Sequence, residues 1–285
     1  MILLTMPPLL RLRKLVSDTA NRMMVGGISH GLSLRTQRLS RNLPSLFVVS
    51  LPRSFSSYTY LLTRSALFLQ EPVFTTFGEV LNYGRFNKGY GSDEKVPANF
   101  FIYPEKEPAQ FRRTAACLDR IVEPRGFAYK DVVQPFAVAA WLRKRKEIPV
   151  LHIRRNLADV ASAMLALKWL YPARAANHRA DVEAGVVEGL VLADHALAQL
   201  PAERVEYDDL VRDGSALTAA LAKLYPNHEF PVVRFHNRQL QTEYAKTMAG
   251  RESPEYILLE RKIRALQENL NIQASSNRQE NAAAR

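Results

Sequence analysis

Arg53, Ser54, Ser56 and Ser57 stand close together in Leu51-Pro52-Arg53-Ser54-Phe55-Ser56-Ser57-Tyr58-Thr59, between a short apolar run and a helical pattern. One guanidinium and three hydroxyls at a strand-to-helix turn suit an anion, because the N–H groups of a helix N-terminus point at whatever lies beyond the strand. A second group is Arg154 and Arg155 at the end of the run Val150-Leu151-His152-Ile153, with Ser162 on the helical pattern that follows. A planar guanidinium grips phosphate oxygens bidentately. Glu79 follows a further strand candidate and meets the positional requirement for a general base, a carboxylate leaving the C-terminal edge of a strand beside the anion loop. None of the six histidines lies in a comparable segment, and His152, inside a strand, reads as core or a supporting residue.

The loop lacks the glycines and the lysine of G-x-x-x-x-G-K-[ST], which argues against a nucleotide kinase with its bound magnesium. It resembles instead the 5′-phosphosulfate loop of the sulfotransferases, written P-[RK]-[SG]-G-[ST]-[ST]. Pro52, Arg53, Ser54, Ser56 and Ser57 fit, while Phe55 stands where glycine is usual, so the loop is expected to turn differently at that residue. The segment Val150–Ser162 looks like that family's 3′-phosphate motif. Arg154 has the eight-residue spacing to Ser162, whereas aligning Asp159-Val160-Ala161 on the family's Asp-Val-Ala puts Arg155 in the arginine's place, and both stay candidates. Arg204-Val205-Glu206-Tyr207-Asp208-Asp209-Leu210-Val211 resembles the late strand-to-helix segment R-Y-E-D-L-V, with Tyr207 for the adenine pocket or for the core. Gly126-Phe127-Ala128-Tyr129-Lys130-Asp131 bears a weaker resemblance to the Lys-Asp strand end of many bacterial members, with Lys130 facing the donor or the solvent.

The resemblance, which spans roughly residues 46–211, implies an α/β fold with a central parallel sheet flanked by helices, of the P-loop-like sulfotransferase kind. It implies transfer of a sulfuryl group from 3′-phosphoadenosine-5′-phosphosulfate (PAPS) to an acceptor hydroxyl, without a metal. Arg53 and Glu79 would be catalytic. Donor contacts would come from Arg53, Ser54, Phe55, Ser56, Ser57, Tyr58, Arg154, Arg155, Ser162 and Tyr207. The acceptor, whether small molecule, sugar or lipid, is not written in a motif.

The elements that must position these groups follow from hydrophobic period. Leu46–Ser50 is a β-branched run fit for a strand buried on both faces. Strand candidates at 72–76, 127–130, 149–153 and 204–207 alternate with helical patterns at 56–70, 111–122, 157–170 and 181–200, an alternation that argues for a parallel sheet. Residues 82–106, rich in Gly, Asn, Tyr and Lys, read as a long surface loop whose Arg85, Lys88 and Lys95 would suit an acidic or sugar acceptor. The chain divides into a basic N-terminal extension (1–42), one α/β domain (43–270) and a polar tail (271–285) expected to fray.

A net charge of +11 from 39 Lys+Arg against 28 Asp+Glu implies anionic partners. Residues 1–70 carry nine basic side chains and a single acid, Asp18, a pattern shared by organelle transit peptides and by ordinary basic extensions. The one cysteine, Cys117, allows no internal disulfide, and no apolar run reaches the ~20 residues a bilayer span needs, so a cytoplasmic protein is expected. Two alternatives remain at this level: a sulfotransferase-fold protein that has lost activity, for which Phe55 is the warning, and a basic binder of nucleic acid or an anionic membrane surface.

Overall fold

The computed structural model describes residues 42–72, 75, 78–81, 101–167, 181–212, 214–228 and 238–283. Strand β1 (Leu46–Ser50) leads through a five-residue loop into helix α1 (Ser56–Ala66). There follow α2 (Pro108–Ile121), β2 (Ala128–Asp131), α3 (Pro135–Leu142), β3 (Val150–Arg154) and α4 (Leu157–Ala166). The remainder is α5 (Val182–Ala198), β4 (Glu203–Glu206), α6 (Tyr207–Arg212), α7 (Ser215–Leu224), α8 (Arg238–Gly250) and α9 (Pro254–Ala283). Four strands pair in parallel in the order β2-β1-β3-β4, as the alternation of strands and helices requires.

Strand β1 shows why the sheet is covered on both faces. Its side chains alternate, so Phe47 and Val49 enter the core formed with α2, α3, α4, α5 and α9, while Leu46 and Val48 enter the one formed with α1, α6 and α7. Helix starts follow local chemistry: proline opens α2 and α3, where its missing N–H costs nothing, and the Asn156 and Asp181 side chains cap α4 and α5.

The chain moves from β1 to β2 on one side and then to β3 on the other, so the strand order reverses at β1. Ligands of open parallel sheets bind outside the strand C-termini at such a switch point. Here Ser50, Asp131, Arg154 and Glu206 mark that edge, with Val49 opposite Asp131, Ser50 opposite Ile153 and Arg154 opposite Glu206.

Three expectations change. The described part of the 72–76 strand candidate is a turn, in which the Thr75 N–H and hydroxyl both donate to the Pro72 carbonyl; the outer edge of β2 is instead met by single bridges from Gln70 and Glu79. The long loop is not surface at every described position: Phe101 and Ile102 are buried, with the Ile102 N–H donating to Gln134 Oε1, while Glu105 and Lys106 at its end are exposed. Its residues 82–100, with Arg85, Lys88 and Lys95, lie outside the described residues, as does the extension through residue 41. Helix α9 continues to Ala283 across most of the segment expected to fray, since Ala, Gln, Glu and Arg favour helix without needing a core to pack on. Among the described residues no helix is long and apolar enough to cross a membrane.

Candidate functional site

The loop joining β1 to α1 is held in an unusual backbone conformation. Arg53 has φ +63° and Phe55 has φ +58°, two of the three non-glycine residues with positive φ among the described residues. The expectation that Phe55 forces a different turn is therefore corrected: Phe55 takes the left-handed conformation that glycine would take, against the steric preference of its Cβ. Its ring meets Tyr58 edge-on at 5.5 Å, and Tyr58 is buried in the core between α1 and the sheet. Helix α1 begins at Ser56 with no side-chain cap and no acid in its own first turn, so its N-terminal field is not offset from within the helix. Arg53 is exposed at the mouth of this turn, Ser57 is half-buried, Ser56 is buried, and Ser54 is enclosed with an unpartnered hydroxyl oxygen.

Beside the loop, the end of β2 presents Lys130. Its aliphatic stem and ammonium are fully enclosed, and Nζ donates to Ser57 Oγ at 2.7 Å and lies 2.9 Å from Glu79 Oε1. Burial pulls the Lys130 pKa below its ordinary value, and the Glu79 carboxylate opposes that shift. Glu79 reaches this place through backbone pairing: the Lys130 N–H donates to the Gly78 carbonyl and the Val80 N–H to the Lys130 carbonyl. Gly78 has φ +69°, and a Cβ there would stand 2.4 Å from a ring carbon of Tyr60, so this close approach requires glycine. Asp131, next along β2, accepts from the Val133 and Gln134 N–H groups; burial pushes its carboxyl up to about 7 despite those bonds.

On the other side of β1, Arg154 and Arg155 point into different surroundings. Arg154 makes a two-pronged contact with Asp194 of α5, at 3.3 and 3.0 Å, which holds its pKa above the usual value. Arg155 is nearly enclosed. Its guanidinium lies 4.4 Å from the Tyr207 ring centre, and it donates to the Arg53 carbonyl at 2.5 Å and to Thr247 Oγ1 at 3.1 Å. Both arginines line a cavity of about 520 Å3 with Asn156, Glu206, Tyr207 and Asp208, roofed by Glu260, Ile263, Arg264 and Gln267 of α9. Tyr207 is buried in the core and also lines this cavity. Ser162 is exposed on α4 and is not part of that lining. His152 is buried within β3, and desolvation pulls its pKa down to about 4, which suits a neutral core residue.

Comparison with solved structures gives a distant similarity to one of them. It is titled "Sulfotransferase Domain from the Curacin Biosynthetic Pathway", with a TM-score of 0.36 and 15% identity over 67% of this chain and 77% of that one. No protein-family model matches the sequence, and no curated protein matches it. The roles of individual residues therefore rest on geometry.

The sequence motifs converge on one sheet edge: Arg53 to Tyr58 over β1, Glu79 with Lys130 beside β2, and Arg154, Arg155 and Tyr207 over β3 and β4. The residues of α9 that close the cavity, above all Arg264, carried no sequence signal, because a polar helix of this composition reads as solvated surface. Arg251, between α8 and α9, was equally silent. Its guanidinium forks onto Asp159 at 3.0 and 2.6 Å and reaches Asp208 at 3.3 Å.

Proposed function

We propose that the chain is a sulfotransferase that moves the sulfuryl group of PAPS to an acceptor hydroxyl by in-line displacement. The observation that carries this reading is the Lys130 ammonium seated between Ser57 Oγ and Glu79 Oε1, because it joins the candidate anion loop to the candidate base at the sheet's switch point. In this reading the 5′-phosphosulfate lies on the first turn of α1 with Arg53 beside it. The loop's left-handed turn supports that placement, since strain of this kind persists where a loop must present its backbone to a ligand.

The acceptor oxygen attacks sulfur as its proton passes to Glu79, and the bond from sulfur to the bridging phosphate oxygen breaks. The negative charge left on the departing 5′-phosphate is met by Arg53, the serine hydroxyls and the α1 amides. The 3′-phosphate falls to the arginines of the cavity, Arg154 or Arg155, with Arg264 facing them from α9. Tyr207 supplies an aromatic edge for the nucleoside. Phe55 retains the backbone shape of glycine, which favours a competent loop over a degenerate one.

Isothermal titration with 3′-phosphoadenosine-5′-phosphate (PAP), with and without magnesium and beside a nucleotide lacking the 3′-phosphate, tests the reading without an acceptor. The expected result is magnesium-independent binding that needs the 3′-phosphate and weakens in Arg53→Ala. Intact protein that binds no PAP sinks the proposal. Once an acceptor is found, Glu79→Gln is expected to bind PAP normally and to lose turnover by a factor of about 100 or more, the usual contribution of a general base.

A further inference from the structure

We infer that Arg251 is a positioning residue for the loop at the head of α1: it fixes Asp159, Asp159 fixes Arg155, and Arg155 holds the Arg53 carbonyl in its left-handed turn. The inference takes its ligand from the proposal above, while the coupling itself is a property of the fold. Asp159 is the centre of the network. Its carboxylate is fully enclosed in the first turn of α4, and three groups converge on it: the Arg251 fork at 3.0 and 2.6 Å, the Tyr256 hydroxyl at 2.8 Å, and Arg155 Nε at 3.7 Å. A buried carboxylate persists only with such partners.

Arg155 spends its other donors away from Asp159. One goes to the Arg53 carbonyl and one to Thr247, with the guanidinium held against the Tyr207 ring. The two arginines and the two aspartates, Asp159 and Asp208, balance in charge. Removing Arg251 leaves Asp159 with one cation in reach among the described residues, Arg155, at a distance longer than a hydrogen bond. Arg155 is then drawn toward Asp159 and off the Arg53 carbonyl, and the turn at Arg53, which a Cβ disfavours, loses the contact that holds it. Arg251 sits 92 residues from Asp159 along the chain, so no motif announces the link.

Hydrogen–deuterium exchange on the full chain tests this in the wild type, Arg251→Ala, Arg251→Lys and Tyr256→Phe. Amides of residues 51–57 are expected to exchange on the order of ten-fold faster in Arg251→Ala, by a smaller factor in Tyr256→Phe, and near the wild-type rate in Arg251→Lys, with β1 and β3 still protected. PAP titration on the same proteins should show affinity falling in the same order. Wild type that fails to bind PAP would end the sulfotransferase reading, yet the exchange rates would still decide the coupling. Unchanged loop exchange in Arg251→Ala overturns the inference, and so does acceleration spread evenly through β1 and β3 with no loop response in Tyr256→Phe, which would make Arg251 a general clamp.

Discussion

At Phe55 and Gly78 the backbone takes the same left-handed region for opposite reasons. Gly78 takes it freely because it has no Cβ, and the Tyr60 ring, whose hydroxyl is tied to the Ala128 carbonyl at 3.0 Å, leaves no room for one. Gly78→Ala is expected to cost about 2 kcal/mol or more from combined overpacking and backbone strain, read from urea denaturation. Because Gly78 and Glu79 pair with Lys130 as one unit, the same change should also remove activity. A fully stable Gly78→Ala protein would show that the Tyr60 contact relaxes freely. Phe55 adopts the region despite its Cβ, so the nature of the side chain sets the cost. Phe55→Gly should keep the fold and PAP binding, while Phe55→Val should be less stable than Phe55→Gly by about 1–2 kcal/mol, since a β-branched side chain tolerates positive φ worst. Equal midpoints for the two variants would mean that the loop turns some other way in solution.

Among the elements, β2 carries the most charge in the least water. Asp131 at its end is buried, and its folded pKa of about 7 lies above the ~3.9 of a free aspartate. The folded protein therefore binds this proton more tightly than the unfolded chain does. The stability this contributes is complete below the unfolded pKa and is lost as pH rises through about 7. Asp131→Asn keeps an oxygen that can accept from the Val133 and Gln134 N–H groups but cannot ionise. The variant should gain on the wild type as pH is raised from about 4 toward 7 and level off above that, in Tm measured at each pH. A difference that stays flat would place the Asp131 pKa near its unfolded value. Strand β2 is thus built around its polar end, with a lysine whose ammonium sits between Ser57 and Glu79 and an aspartate that caps the approach to α3.

For the whole molecule, α9 matters most. Tyr256, Leu259 and Ile263 are buried in the core on one face of the sheet, while Glu260, Ile263, Arg264 and Gln267 roof the cavity over β3 and β4. One helix therefore both closes the fold and completes the site. Leu259→Ala and Ile263→Ala are each expected to destabilise by about 2–5 kcal/mol, as large-to-small changes in a packed core do. Arg264 is exposed, so Arg264→Ala should leave Tm unchanged and weaken PAP several-fold, on the order of the loss of one charged hydrogen bond. An unaltered PAP affinity would remove α9 from the donor site and leave the nucleotide to the strand ends alone.

The sequence by itself determined four strands and the helices α1, α2, α4 and α5, because period and β-branching are local properties of contiguous residues, although the same signal also suggested a strand at 72–76 that the sheet does not contain. Leu46–Ser50 is a strand with the bounds that its apolar run implies, and the other three strands begin and end within a residue of their expected positions. It also determined that Arg53 to Phe55 lead into a helix opened by Ser56 and Ser57, and that Arg154 and Arg155 stand at the end of a strand, since each is a strand-to-helix junction readable in one short window. Only the tertiary structure decided the rest. That Lys130 bridges Ser57 and Glu79 depends on two parallel pairings at β2, one of them a single bridge with no strand period to read. The two arginines part company because Asp194 meets one, and Tyr207 with Thr247 meets the other, all from elements far along the chain. Phe55 shows the same division most sharply: its side chain opposes the left-handed turn locally, yet the fold holds it there, with the neighbouring Arg53 carbonyl bound by the guanidinium of Arg155, which follows β3.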